Sequence, residues 1–378
     1  MKVLFIAQGE GRGHLTQALT LEKMLRDHGH EVVEILVGKS KSREIPEFFL
    51  QKAKAPVCQF KSPNFLPSKD NKCIGLSRSV LYNLLKVPQY LNSILFLHKH
   101  IVESGADMVI NFYEILCGLT YSVFRPRVPQ VCIGHQYLFL HPDFRFPEAH
   151  KTSQRLMVEF TKATCLGACR KLALSIRQYA DDDAQGLTVV PPLLRCEIKD
   201  APRHHGDAIT GYILNAGFSD YVMEWHRQHP SVKLYFFWDK KDAPEVTEVD
   251  DTLTFHKIDD ASFVEHLANC KAYASTGGFE SVCEALYMGK PTLMVPAHVE
   301  QECNAADAEH EGVGIVDDHF SLDRLLDFSR QYTEDVEFRM WENQAEQKFV
   351  AILESIYEEY VVNGFTMPLG NVSVDMPL

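Results

Sequence analysis

What this sequence lacks narrows it first. Its ten cysteines include no Cys-x-x-Cys pair, so the spacing that would hold a metal between neighbouring thiolates is missing. Most sit in apolar runs such as Val131-Cys132-Ile133, which reads as reduced, buried thiols of a cytoplasmic protein and not as a disulfide framework. No apolar stretch reaches the roughly 18 residues that span a bilayer, and the opening Met1–Ala7 run is too short for a signal sequence and fits a strand. Positive charge is short as well: Lys and Arg number 38 against 51 acids, a formal net charge of -13. Binding a phosphate chain needs a concentrated basic face, so a nucleic-acid partner is not expected. The one tempting acidic cluster, Asp181-Asp182-Asp183, runs into a Gln185-Gly186 turn and reads as solvated charge. No metal is therefore expected, and there is no internal repeat or low-complexity segment.

What is present is enough for two folded units. The chain has 378 residues, 46% hydrophobic and 24% charged, which is ordinary for a globular protein about twice the usual domain size. Short β-rich runs alternate with longer helical patterns, predicting βαβ units and parallel sheets, an α/β protein with two Rossmann-like halves. Strands are expected near 2–7, 31–37, 57–60, 107–111, 129–134 and 170–176, with helices near 14–28, 75–103, 114–124 and 150–165. Val190-Pro191-Pro192 through Gly206 breaks the periodicity and reads as a linker. A second series follows, with strands near 208–215, 232–237, 253–256, 271–274 and 291–295 and helices near 218–229, 260–269, 278–288 and 301–310. The expected units are 1–200, 207–333 and a C-terminal helix within 334–362 that reaches back across the junction, followed by a tail to residue 378.

The first strand ends in Gln8-Gly9-Glu10-Gly11-Arg12-Gly13-His14, followed by an amphipathic helix. Glycines let the backbone turn tightly and leave room for a ligand at the carboxyl edge of the sheet. A dinucleotide fingerprint is disfavoured, because His14 occupies the third glycine position and the second strand ends in Val37-Gly38-Lys39 without the acid that binds ribose. Two readings stand for His14: a general base that deprotonates a hydroxyl, or a capping or packing histidine. Arg12 either meets a ligand or is simply solvated.

The second half carries Thr276-Gly277-Gly278-Phe279-Glu280-Ser281 and Glu284, then Gly289-Lys290-Pro291, Pro296 and Glu300-Gln301 with Asn304. A phosphate fits the helix start at Thr276, Gly277 and Gly278, where free N–H groups and the helix dipole favour an anion. Glu280 and Glu284 share a helix face; they either accept ribose hydroxyls or are two glutamates on a wet surface. Glu300, Gln301 and Asn304 either cap the next helix or bind a sugar. The Gly217-Phe218-Ser219 loop has the same strand-to-helix chemistry and is a weaker candidate for a second phosphate.

Taken together, these motifs resemble GT-B glycosyltransferases, in particular the bacterial and archaeal group near the MurG-like and UDP-glycosyltransferase-like enzymes. Gly11-Arg12-Gly13-His14-Leu15-Thr16 is similar to that group's N-terminal motif, and the block from Gly277 to Asn304 is similar to its donor-binding motif. The resemblance implies two Rossmann-like domains facing across a cleft and transfer of a sugar from a nucleotide-diphosphate donor, a UDP-sugar, with inversion and without a resident metal or cofactor. It implies His14 as base, Glu284 on the ribose and Gln301 on the transferred sugar. It also places Glu114, His135 and Gln136 at first-domain strand ends lining the cleft, although a core histidine at position 135 is a competing reading.

Two alternatives keep the nucleotide-sugar and change the chemistry: a sugar 2-epimerase, or a binding protein without turnover. The acceptor is unknown, a small glycan or a lipid-linked hydroxyl. The segment from Leu76 to Ser104 reads as a helix packed on the sheet or as an apolar wall that touches a membrane surface. The expected location is the cytoplasm, free or at the inner face of the membrane.

Overall fold

The structure, a computed structural model, describes residues 1–40, 44–63, 87–213, 216–240 and 242–364. Its first sheet has seven strands in the order β3-β2-β1-β4-β5-β6-β7: β1 (Lys2–Gln8), β2 (Glu31–Lys39), β3 (Val57–Lys61), β4 (Met108–Phe112), β5 (Gln130–Gly134), β6 (Arg170–Leu174) and β7 (Leu187–Val190). Each neighbouring pair is parallel. The interior of central strand β1 reads as an unbroken apolar run because parallel strands are covered on both faces by helices; Val3 to Ala7 are all fully buried.

The helices of this half are α1 (Arg12–Asp27), α2 (Glu47–Lys52), α3 (Val87–Glu103), α4 (Ile115–Phe124), α5 (Lys151–Thr164) and α6 (Cys196–Asp200). On α3, Ile94, Leu97 and Ile101 are buried against the sheet while Leu91, Leu95 and Val102 are exposed. The expected helix near 75–103 is thus found from residue 87 onward, and its earlier part, with the apolar positions 76 to 85, lies outside the described residues, as does the tail beyond 364.

The second sheet has the order β10-β11-β9-β8-β12-β13-β14, built from β8 (Ile209–Ile213), β9 (Leu234–Trp238), β10 (Val246–Glu248), β11 (Leu253–Lys257), β12 (Ala272–Ser275), β13 (Thr292–Met294) and β14 (Ile315–Val316). Only the edge pair β10–β11 is antiparallel. Helices α7 (Ser219–Gln228), α8 (Asp260–Asn269), α9 (Phe279–Tyr287), α10 (Val299–His310), α11 (Leu322–Gln331), α12 (Val336–Glu342) and α13 (Ala345–Tyr357) complete it. Two Rossmann-like sheets with flanking helices are the architecture expected from the sequence.

Three expectations are corrected. Strand β7, not among the expected strands, ends at Val190 where the linker begins, and the linker itself contains α6. The single helix expected within 334–362 is broken at Asn343-Gln344. Trp341, just before the break, donates its indole N–H to the Ser175 carbonyl at 3.0 Å, which anchors α12 and lets α13 set off in its own direction. His30, in the turn between α1 and β2, meets Glu354 of α13 at 3.1 Å.

In both sheets the strand order reverses once, between β1 and β4 and between β8 and β12. Loops leave such a switch point in opposite directions and open a crevice at the carboxyl ends of the strands. The two loops that the sequence singles out, after β1 and after β12, both lie there. A large apolar cluster joins the halves, running from Phe5, Leu15 and Ile110 through Leu193, Leu194 and Ile198 to Phe263, Phe279 and Cys283, and on to Phe349 and Leu353.

Candidate active site

Each strand end contributes a residue because of its local geometry. After β1 the chain crosses β2 closely, with the Gly9 N–H donating to the Gly38 carbonyl at 2.7 Å. A side chain at Gly9 would come within 2.7 Å of Val37, so glycine is required there. Extended Gly11 starts α1, which puts Gly13 and His14 in the first turn. A Cβ on Gly13 would stand 3.1 Å from the Glu280 side chain; the glycine loop therefore sits directly against the first turn of α9 in the other half.

His14 is buried, with its Nδ1 3.3 Å from Gln17 Oε1 and its Nε2 3.4 Å from Gln136 Nε2. Gln136 also donates to Glu300 Oε1 at 3.2 Å, and His135 Nε2 stands 3.1 Å from that same oxygen. The His135 ring stacks on Phe279, centroids 4.6 Å apart. His14, His135 and Gln136 from the first half are thus brought together with Phe279, Glu280 and Glu300 from the second.

Burial removes water from the His14 ring and, with the charge of His135, lowers its pKa to about 4. Burial works to raise the Glu300 carboxyl, but the hydrogen bond and charge of His135 more than offset it and hold the group at about 2. At neutral pH the site therefore holds a neutral imidazole beside a carboxylate. An NMR titration of the His14 ring is expected to show a midpoint near pH 4; a midpoint near the ordinary 6.5 would mean that the ring is open to solvent.

Tyr113, from the Asn111-Phe112-Tyr113-Glu114 strand end that the resemblance places along the cleft, joins the site. It follows β4 at the switch point with φ of 60°, a left-handed conformation that costs a non-glycine residue about 1–3 kcal/mol. Asn111 and Glu114 hold that turn, the Glu114 N–H donating to Asn111 Oδ1 at 2.7 Å. The result is that the Tyr113 ring stacks on His14 at 5.6 Å and its hydroxyl meets Thr161 at 2.7 Å.

One first-half expectation is corrected. Glu114 does not line the cleft: it is fully buried, caps α4 through the Leu116 N–H at 3.1 Å and accepts from Ser62 at 2.7 Å. The turn at Tyr113 swings the tyrosine outward and the glutamate inward. Arg12 is half-buried and reaches the other half: its guanidinium lies 5.5 Å from the Phe48 ring centre and 3.5 Å from the Ile258 carbonyl.

In the donor block, Gly277 has φ of 77° and so needs glycine. The turn aims the first-turn N–H groups of α9, which have no intrahelical acceptor, out of the sheet edge. Ser281 returns its hydroxyl to the Gly278 carbonyl at 3.2 Å. Gln301 Oε1 accepts from the Ala297 N–H at 2.9 Å, so it caps its own helix. Gly217 and Ser219 open α7 after β8, the strand that pairs with β12.

Glu280 is not on a wet face. It accepts from Gln17 Nε2 at 2.5 Å, and burial pushes its carboxyl up to about 8. Glu284 is buried too, and both of its oxygens are taken by Arg195 at 2.7 and 3.0 Å. Arg195 comes from the linker and also pairs with Asp260, which Lys52 meets at 2.5 Å. The aspartates 181 to 183 face three different partners, the Val189 and Gln185 N–H groups and Arg170, as a solvated turn would.

Several buried polar atoms have no partner among the described residues: Gln136 Oε1, His135 Nδ1 and Glu280 Oε2 near His14, and Thr276 Oγ1 and Asn304 Nδ2 in the second half. Buried polar atoms without a partner are rare, and a group of them drawn from both halves marks a place for a ligand or its water. A separate cavity of about 520 Å³ lies behind α1, between Leu19, Lys52 and Leu194. It is not this site.

The fold defines a two-domain α/β protein with residues of both halves gathered at one site, and the family match says what class it is. The family model of glycosyl transferase family 1 matches residues 1–332, so the chain belongs to glycosyl transferase family 1 and is a glycosyltransferase of GT-B type. Among solved structures it is similar to the glycotransferase of kitacinnamycin, with 16% identity, a TM-score of 0.62 and coverage of 94% of this chain and 98% of that one. It is also similar to LpCGTa in complex with UDP, with 14% identity, a TM-score of 0.59 and coverage of 95% and 99%. Arabidopsis thaliana UGT89C1 complexed with quercetin matches with 13% identity, a TM-score of 0.61 and coverage of 94% and 99%. No curated protein matches the sequence significantly.

Proposed function

We propose that this protein transfers a hexose from a UDP-sugar to the hydroxyl of an acceptor in one displacement that inverts the anomeric carbon. One observation carries the reading: a neutral, buried His14 stands beside unpartnered polar atoms from both halves of the chain. A hydroxyl bound at His14 loses its proton to the ring as the sugar is attacked, and the Glu300 carboxylate nearby stabilises the imidazolium that forms.

The diphosphate rests on the first turn of α9 at Thr276, Gly277 and Gly278, with Gly217 and Ser219 reaching it from the neighbouring strand end. Helix N-termini supply the charge stabilisation that a metal supplies elsewhere, so no resident metal or cofactor is invoked. Glu284 takes the ribose hydroxyls by exchanging one of its two Arg195 hydrogen bonds for them, and Gln301 and Asn304 contact the transferred sugar. UDP bound to LpCGTa supports uridine as the base, and the local motifs support the MurG-like branch of the fold.

The acceptor is a small glycan or a lipid-linked hydroxyl, the latter reaching the exposed Leu91 and Leu95 of α3 from the inner face of the membrane. Among the described residues no helix is long and apolar enough to cross a membrane. Buried free thiols at Cys117, Cys132, Cys270, Cys283 and Cys303 suit the reducing cytoplasm.

A thermal-shift screen of nucleoside diphosphates tests the donor half. UDP at 100 times its dissociation constant is expected to add about 2.7 kcal/mol of stability. No shift with any nucleoside diphosphate would overturn the proposal. Incubation with the nucleotide-sugar alone is expected to leave the sugar unchanged; a new sugar isomer would show an epimerase instead.

A further inference from the structure

We propose that Gln17 and Glu280 are positioning residues that fix which nitrogen of His14 carries the proton, so that the second domain sets the tautomer of the first domain's base. The proposal rests on the transferase reading of His14 for its consequence but on hydrogen-bond geometry for its content.

A neutral imidazole has one N–H donor and one acceptor nitrogen, and its neighbours decide which is which. Gln17 lies one helical turn after His14, on the same face of α1, and is almost fully buried. A glutamine amide presents its oxygen or its NH₂ to a neighbour with nearly equal ease, so its orientation must be fixed by something else. Here that something is Glu280, whose Oε1 lies 2.5 Å from Gln17 Nε2. An oxygen of that carboxyl accepts the amide N–H, which turns the Gln17 oxygen toward His14 Nδ1 at 3.3 Å. Nδ1 must then donate.

The opposite edge of the ring agrees. Gln136 has its NH₂ turned to Glu300 Oε1 at 3.2 Å, and the same NH₂ faces His14 Nε2 at 3.4 Å. Each side of the ring thus meets an amide from its own half, and each amide is oriented by a carboxyl group from the other half. Both point to Nδ1–H and a free electron pair on Nε2. Raising the Glu280 pKa by burial does not change this, because a protonated carboxyl whose proton sits on the unpartnered Oε2 still offers Oε1 as acceptor.

The orientation has a chemical consequence. With Nδ1 protonated, Nε2 takes the acceptor's proton and Gln17 stabilises the cation through the Nδ1–H bond. With the amide of Gln17 flipped, Nδ1 becomes the acceptor nitrogen, Nε2 carries the proton and the ring cannot act as base toward the Gln136 side. Contact between the two halves therefore completes the base.

The test uses the full chain labelled with ¹⁵N-histidine, the His14 resonances being assigned by their loss in His14→Gln. Wild type is expected to show a pyrrole-type Nδ1 and a pyridine-type Nε2. Gln17→Leu and Glu280→Leu are expected to lose that preference and to lower kcat at least tenfold with donor affinity unchanged, while Glu280→Gln, which keeps an acceptor oxygen, retains both. The swap Gln17→Glu with Glu280→Gln restores an acceptor at Nδ1 and is expected to raise the His14 pKa with the preference intact; Glu300, His135 and Tyr113, which also face the ring, are untouched by it. An unchanged tautomer in folded Gln17→Leu, or a swap that does not restore the Nδ1–H form, would overturn the proposal. Since the tautomer is read without substrates, a failed transferase assay alongside the expected spectra would count against the function proposed above and not against this assignment.

Discussion

His14→Ala is expected to lower turnover by roughly a hundred- to ten-thousand-fold, the range that a positioned general base supplies, while leaving donor affinity little changed. The separation follows from where the ring sits. It touches Gln17, Gln136 and Tyr113, all from the first half, whereas the turn at Gly277 and Gly278 proposed to hold the diphosphate belongs to the second. Steady-state kinetics with saturating donor, together with a calorimetric titration of UDP, separates kcat from binding. The profile of kcat/KM in the wild type should also hold its acid limb near pH 4, because burial keeps the imidazole neutral down to that point. A variant that lost donor affinity and kept its turnover would move the base to another residue.

The second large effect concerns Arg195→Ala. The guanidinium has both oxygens of Glu284 and one of Asp260, and the side chains of Arg195 and Glu284 are only 12% and 4% exposed. Burial works against the arginine's charge, but Glu284 more than offsets it and raises its pKa. Removing one partner of such a pair leaves a buried charge alone, a loss of about 3–5 kcal/mol, whereas replacing both by apolar groups is often close to neutral. Arg195→Ala should therefore shift the urea midpoint strongly downward, and Arg195→Met combined with Glu284→Met should recover most of it, since Asp260 keeps Lys52. Equal loss in the single and double variants would show that packing around the arginine, and not its charge, holds the junction.

The chemistry of the loops was easier to read in the sequence than the partners of each side chain. Strands such as Val3–Ala7, apolar on every residue, and Met108–Phe112, apolar but for Asn111, are covered by helices on both faces, and that pattern is visible in one dimension. The Gly11-Arg12-Gly13-His14 loop and the Gly277-Gly278 turn were legible for the same reason: glycine at a strand end has few uses. Strand β7 was hidden because its four residues run straight into Pro191-Pro192, whose breaking signal is stronger than the strand's own. Glu114 was misplaced because one left-handed residue, Tyr113, reverses which side chain faces out. Gln17 and Arg195 have no local signature at all. A glutamine in a helix and an arginine in a proline-rich stretch acquire meaning only from Glu280 and Glu284, more than eighty residues away in the chain.

The continuous apolar cluster from Phe5 to Leu353 has a mechanical side. Two sheets joined only by a linker could swing apart freely, but here wide separation would expose the side chains of the linker, α8 and α9 to water at about 25 cal/mol per Å². Loading and release of substrates must then use small rotations that keep this seam shut, with the opening confined to the edge where His135 lies on Phe279. Such a molecule gives up its cleft contacts long before it gives up its core, and its two halves share one melting transition.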